Sequence, residues 1–109
     1  MATNTIASLE NSKKVMNLAW GFRKTYQKSM SDSMKLAWRN FKLKREMQKG
    51  VVEFHFTKAD GTIRQAFGTI ASNLVPATVG ADRKTNVWNQ TYFDVERAEW
   101  RTFKKINLL

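Results

Sequence analysis

The hydrophobic period of this chain changes once, near Gly50, and that change limits what the chain can fold into. Ahead of Gly50, apolar residues recur at helical spacing; beyond it they alternate, as on a half-buried strand. Two helices followed by a run of short strands predict an α+β fold with the helices gathered at one end.

Residues 1–10 carry no convincing pattern and read as a flexible arm. Asn11 or Ser12 is suited to cap a first helix running to about Lys28. Val15, Leu18, Ala19, Phe22 and Tyr26 fall in one sector of it and form a core-facing stripe. Ser29 to Asp32 make a break, and Ser31 or Asp32 is suited to cap a second helix reaching about Gln48. This helix shows two apolar stripes, Met34/Ala37/Trp38/Phe41 and Leu36/Leu43/Met47. Such a helix is expected to be sandwiched, one stripe on the first helix and the other on the strands. Lys35, Arg39 and Lys42 then remain in solvent.

"MNLAW" (Met16–Trp20) and "MKLAW" (Met34–Trp38) stand eighteen residues apart. With Trp38 placed in its helix's main stripe and Trp20 beside Lys13 and Lys24, the copies are expected on different faces. Phe22 would correspond to Asn40. The repeat therefore reads as similar composition in two helices, not as structural duplication.

Beyond Gly50, Val52, Phe54 and Phe56 alternate with Glu53, His55 and Thr57. "KADGT" (Lys58–Thr62) is a strong turn signal, because Asp-Gly supplies the positive φ of a hairpin. The return strand runs Ile63–Ile70, with Gly68 marking a bulge or close approach. A polar connection from Ala71 to about Thr85 holds Pro76, Gly80 and the pair Arg83-Lys84. Two further strands follow, joined by a tight turn near Glu96–Ala98. Four to five short strands with glycine at corners suggest a small barrel, in which closure removes exposed edges.

These same residues carry a family likeness. "F-x-K-x-D-G-T-I-R" (Phe56–Arg64), "A-x-G-T" (Ala66–Thr69) and "Y-F-D-V-E-x-x-x-W-R-x-F" (Tyr92–Phe103) resemble the SH3 β-barrel fold-containing proteins of Bacteroidetes and their phages. The likeness covers about residues 50–109. "W-R-x-F" is also similar to the closing strand of WYL domains, where an R-x-F-R-like strand helps line a ligand surface. This chain is shorter than a WYL domain and lacks the Trp-Tyr-Leu triplet. The resemblance implies an SH3-like barrel and a mobile-element origin, and it transfers no catalytic residue. Fold alone does not give function.

The expected organisation is thus a flexible arm (1–10), a two-helix basic segment (11–49) packed as a hairpin on the barrel, and an SH3-like barrel of four to five strands (50–109). Little in this frame suggests catalysis. His55 is the single histidine, cysteine is absent, and no glycine-rich phosphate loop occurs. Asp94, Glu96 and Glu99 alternate with Arg97 and Arg101, as in a surface salt-bridge set. The expectation is a protein that is not an enzyme, with no cofactor and no metal. No apolar run is long enough to span a membrane, and the localisation expected is the cytoplasm of a bacterial host. Membrane-surface binding is disfavoured because the apolar stripes are needed for the core.

Charge points to binding. The formal net charge is +10, and residues 1–50 hold eleven basic and three acidic side chains, a net of +8. A field of one sign attracts polyanions. Lys35, Arg39 and Lys42 form a helical ridge that Lys44, Arg45 and Lys49 continue, suited to a phosphate backbone. Arg83, Lys84, Arg101, Lys104 and Lys105 could extend this footprint onto the barrel. Trp20 with Lys13 and Lys24 could stack an unpaired base, meet a partner protein or a second copy, or be buried. Trp88, Tyr92 and Trp100 could line an aromatic floor, although core packing is favoured for each. Nucleic acid leads as partner, DNA ahead of RNA; the alternative is a protein-interaction module, or an inhibitor of a host defence or nucleic-acid-processing protein, that meets an acidic surface.

Overall fold

The computed structural model of the chain describes residues 5–76 and 87–109, and the side chains among them from Leu9 onward. The described elements are α1 (Thr5–Tyr26), α2 (Met30–Lys49), β1 (Val52–Thr57), β2 (Ile63–Thr69), β3 (Asn89–Asp94) and β4 (Glu99–Lys104), then a 3₁₀ turn at Lys105–Asn107. They form two compact units, residues 1–41 and 42–109, so that α2 begins in one and ends in the other.

In the first unit the two helices pack together, and both start earlier than their sequence signals suggest. Helix α1 begins at Thr5, ahead of Asn11 and Ser12, and ends at Tyr26. Gln27 follows in the left-handed region, φ 55°, the usual way a helix is stopped, though here without glycine. Ser29, not Ser31 or Asp32, caps α2: its Oγ accepts the Asp32 N–H at 3.1 Å, while the Asp32 carboxylate lies in the positive first turn.

The buried faces correct two expectations. Helix α1 buries Val15, Ala19 and Phe22; α2 buries Ser33, Leu36, Ala37, Asn40, Leu43 and Met47 along one continuous stripe. Of the stripe expected to be the main one, only Ala37 is buried; Met34 and Phe41 are half-buried and Trp38 is 40 % exposed, whereas Leu36, Leu43 and Met47 of the other stripe are all buried. The two copies of the repeat, one on each helix, do occupy equivalent faces. Val15 and Ser33, Ala19 and Ala37, Phe22 and Asn40 are all buried, while Trp20 and Trp38 are both exposed. Asn40 fits where α1 has a phenylalanine because its amide donates to the Leu36 carbonyl at 3.0 Å. The Ser33 hydroxyl is buried without a hydrogen-bond partner.

In the second unit β1 to β4 form an antiparallel meander in sequence order. The long hairpins β1–β2 and β3–β4 are joined by a short β2–β3 ladder, Gly68↔Asp94 and Thr69↔Phe93. Closure comes from the carboxy-terminal residues. After the 3₁₀ turn, Leu108 bridges Phe56 antiparallel and the Leu109 N–H reaches the His55 carbonyl at 3.0 Å, covering the free edge of β1. The first hairpin turns as its sequence predicts: Gly61 takes φ 88°, and the Asp60 carboxylate accepts both the N–H and the hydroxyl of Thr62.

Alternation sends Phe54, Phe56, Tyr92 and Phe103 inward. Their rings pack at centroid distances of 5.0 Å (Phe54–Tyr92) and 5.3 Å (Phe54–Phe103 and Phe56–Phe103). Gly68 makes this possible: a Cβ there would stand 2.6 Å from Tyr92 Cδ2 and 2.9 Å from Phe54 Cε1. The close-approach reading of Gly68 is the correct one. Burial pushes the Tyr92 phenol above its ordinary value, Asp94 adds to the effect, and Arg64 and Arg101 oppose it. Its hydroxyl has no hydrogen-bond partner.

Gly68→Ala should lower unfolding stability by about 1–3 kcal/mol through overpacking, measured by urea denaturation. Ser33→Ala and Tyr92→Phe, which each delete a buried unpartnered hydroxyl, should leave stability unchanged or raise it by about 1 kcal/mol. The sign of the Tyr92 effect gives a pH test. Its raised folded pKa favours the neutral phenol, so stability should hold below the ordinary tyrosine value and fall as pH rises past it. Tyr92→Phe should flatten that alkaline limb.

Candidate nucleic-acid interface

The cationic side chains of α2 follow directly from its burial pattern. With Leu36, Leu43 and Met47 inward, Lys35, Arg39, Lys42, Lys44, Arg45 and Lys49 are all exposed. The helix carries only Asp32 and Glu46 against them. Lys35, Arg39 and Lys42 keep the i, i+4, i+7 spacing of a ridge.

The end of α2 is fixed to the barrel by hydrogen bonds. The Met47 carbonyl, one of those a helix leaves without an intrahelical partner, accepts the Ile70 N–H at 3.0 Å and the Thr69 hydroxyl at 3.0 Å. Thr69 Oγ1 in turn accepts the Ala71 N–H at 3.1 Å, and Thr69 is fully buried. This attachment lies in the compact unit that holds both Lys44 and Lys105. The Lys105 ammonium is held below its ordinary pKa, first by burial and then by the positive charge of Lys44. Lys104 is exposed on the outer face of β4, opposite Asn89. Of the expected groups, Lys44 of the helix and Lys105 of the carboxy-terminal pair are near enough to act on each other electrostatically. Arg83 and Lys84 lie outside the described residues.

Trp20, Lys13 and Lys24 belong to the other compact unit, and all three are exposed. Trp20 is 53 % exposed, which answers whether it is buried. It lines a surface depression with Gly21, Arg23 and Lys24, and the Arg23 guanidinium sits 5.6 Å from its ring centroid. Arg23 was not among the expected site residues; its i, i+3 spacing from Trp20 was the available signal. The outward Trp38, edge-on to Phe41 at 5.7 Å, was also missed.

The carboxylates at the second hairpin depart from a surface salt-bridge set. Asp94 is only 3 % exposed. Its Oδ1 accepts the N–H groups of Glu96 and Arg97 at 3.0 and 3.2 Å and so shapes the turn. Its Oδ2 faces Arg64 at 3.7 Å and Arg101 at 3.8 Å, while Arg101 also pairs with Glu99. Arg64, Asp94 and Arg101 all fall on the inward register of their strands, beside Tyr92. Of the other aromatics, Tyr92 is core, whereas Trp88 and Trp100 are half-buried, Trp100 against Phe93 at 5.5 Å. His55 is exposed on β1, 3.9 Å from Glu53. Among the described residues no three His, Cys, Asp or Glu side chains converge as a metal set, and no helix is long and apolar enough to cross a membrane.

A closed antiparallel meander with a 3₁₀ turn before the closing bridge is an SH3-like arrangement. The family model WYL_2, Sm-like SH3 beta-barrel fold, matches residues 40–109. The chain belongs to the WYL_2 family. Comparison with curated proteins and with solved structures yields no match. The WYL_2 match begins at Asn40, inside α2, so the helix segment bonded to Thr69 and Ile70 is included in it.

Lys44→Gln should return the Lys105 ammonium part of the way toward its ordinary value, since it removes one of the two causes of the shift. NMR titration of the Lys105 side chain checks this; an unchanged midpoint would leave burial as the sole cause.

Proposed function

We propose that this WYL_2 protein is a non-enzymatic binding module that holds nucleic acid through its phosphate backbone, DNA ahead of RNA. The observation that carries this reading is the run of exposed cations on α2, set against only Asp32 and Glu46, with Lys105 near Lys44. Two ammonium groups from separate elements lie close enough for one to lower the pKa of the other. A phosphate placed between them relieves that repulsion and releases its own counterions. Lys35, Arg39, Lys42, Arg45 and Lys49 along α2, with Lys104, extend the cationic surface. Nothing here reads base identity, so the binding proposed is independent of sequence. The likeness to SH3-barrel proteins of Bacteroidetes and their phages fits a protein of mobile-element origin working in a bacterial cytoplasm.

A second reading, an interaction module or inhibitor that meets an acidic protein surface, is favoured by one observation. Leu9, Met16 and Trp20 are exposed on the outer face of α1, and apolar groups rimmed by charge suit a protein partner.

Fluorescence anisotropy with unrelated DNA and RNA at several salt concentrations separates the readings. Binding should weaken steeply with salt, and Lys44→Gln/Lys105→Gln should reduce the log–log slope by about 2 units. Lys35→Glu/Arg39→Glu/Lys42→Glu, with folding confirmed by circular dichroism, should abolish it. Affinity should also fall as pH climbs into the lowered Lys105 range, earlier than ordinary lysines would require. No binding by the parent at low salt would leave the protein-partner reading.

A further inference from the structure

Trp20 offers a polyanion something that phosphate contacts do not use. From Asn11 to Ser31 the chain contains no acid, and Lys13, Lys14, Arg23, Lys24 and Lys28 fall in this stretch. The indole stands on the face of α1 opposite Val15, Ala19 and Phe22, so the core does not need it. Arg23 lies over the ring, and Gly21 and Lys24 complete an open depression around it. The ligand that matches a flat aromatic face ringed by cations is a flat ring joined to an anion. An unpaired nucleobase with its phosphate has that form, whereas in a duplex the base faces are already stacked on each other.

We propose that Trp20 is a stacking platform for single-stranded nucleic acid, with Arg23 and Lys24 taking the adjoining phosphate. The proposal rests on the nucleic-acid reading above and names its substrate class. Trp38 supplies a second exposed indole of the same kind, at the equivalent position of the repeat and propped edge-on by Phe41. A second copy of the chain is a poorer occupant of the Trp20 face, because it would set like charges against each other. Leu9 and Met16 extend the exposed apolar face, so a protein contact is included among the outcomes below.

The discriminating comparison is an oligothymidine strand, an abasic strand of equal length and a duplex of equal length, each titrated by anisotropy. Contacts to phosphate alone favour the duplex, which has the higher charge density. Stacking should reverse that order and quench the indole emission. Trp20→Ala should weaken oligothymidine binding about 5- to 100-fold and leave duplex binding unchanged, while Trp20→Phe should retain most of the affinity. If the abasic strand binds as tightly as oligothymidine, or Trp20→Ala changes neither ligand, the stacking proposal fails while the nucleic-acid reading stands. If the parent binds none of the three, both fail together. A dimer in sedimentation that Trp20→Ala dissolves would assign this face to a protein contact and overturn the proposal.

Discussion

The Met47 carbonyl is the point at which the helical and sheet parts of the second unit become one structure. The last carbonyls of any helix need donors, and here β2 supplies two, the Thr69 hydroxyl and the Ile70 N–H. Because Thr69 is fully buried and also bonds Ala71, the contact cannot be replaced by water without opening the core. It fixes where the end of α2 stands relative to the barrel, and hence where Lys44 stands relative to Lys105. The proposed phosphate site is in this sense a product of helix capping.

The barrel depends on a second constraint, the fit of Tyr92 against Gly68. A four-stranded barrel of this length has few inward positions, and aromatic rings fill them with the fewest residues. Large rings need somewhere to go, and glycine on the facing strand provides it. The Tyr92 hydroxyl lies among the inward charged groups Arg64, Asp94 and Arg101, which act on its ionisation. Asp94 therefore serves two purposes: it caps the β3–β4 turn with one oxygen and faces two arginines with the other.

Much of this was legible in the sequence, and the failures have identifiable causes. The switch of period at Gly50, the Asp-Gly turn and the close approach at Gly68 all rest on local backbone rules, which tertiary contacts seldom override. The face of α2 does not. Leu36, Leu43 and Met47 were legible as a packed stripe, but Trp38 and Phe41 are bulky and apolar, so they outweighed Ser33 and Asn40 in any hydrophobic count. The packed face prefers small side chains there, together with an asparagine that satisfies its own amide against Leu36. The eighteen-residue repeat held the correction, since like residues in two helices packed on each other take up like faces. Asp94 was misread because alternation cannot show that a turn's first residue is buried. Lys44 and Lys105 are sixty-one positions apart, and only the folded chain brings them together.

The same electrostatics that suggest binding also work against the unliganded fold. Burial and a neighbouring lysine both hold the Lys105 pKa down, and a group whose charged form is disfavoured in the folded state lowers folding stability while it stays charged. A chain selected only for stability would place an apolar residue or an acid near that site. Two cations near each other there fit the proposed polyanion ligand. Binding and folding are then coupled: a phosphate bound to the folded state alone stabilises it by mass action, and the repulsion it relieves adds to its affinity. On the proposed function, this coupling would let a small basic domain keep a concentrated positive field in its folded state.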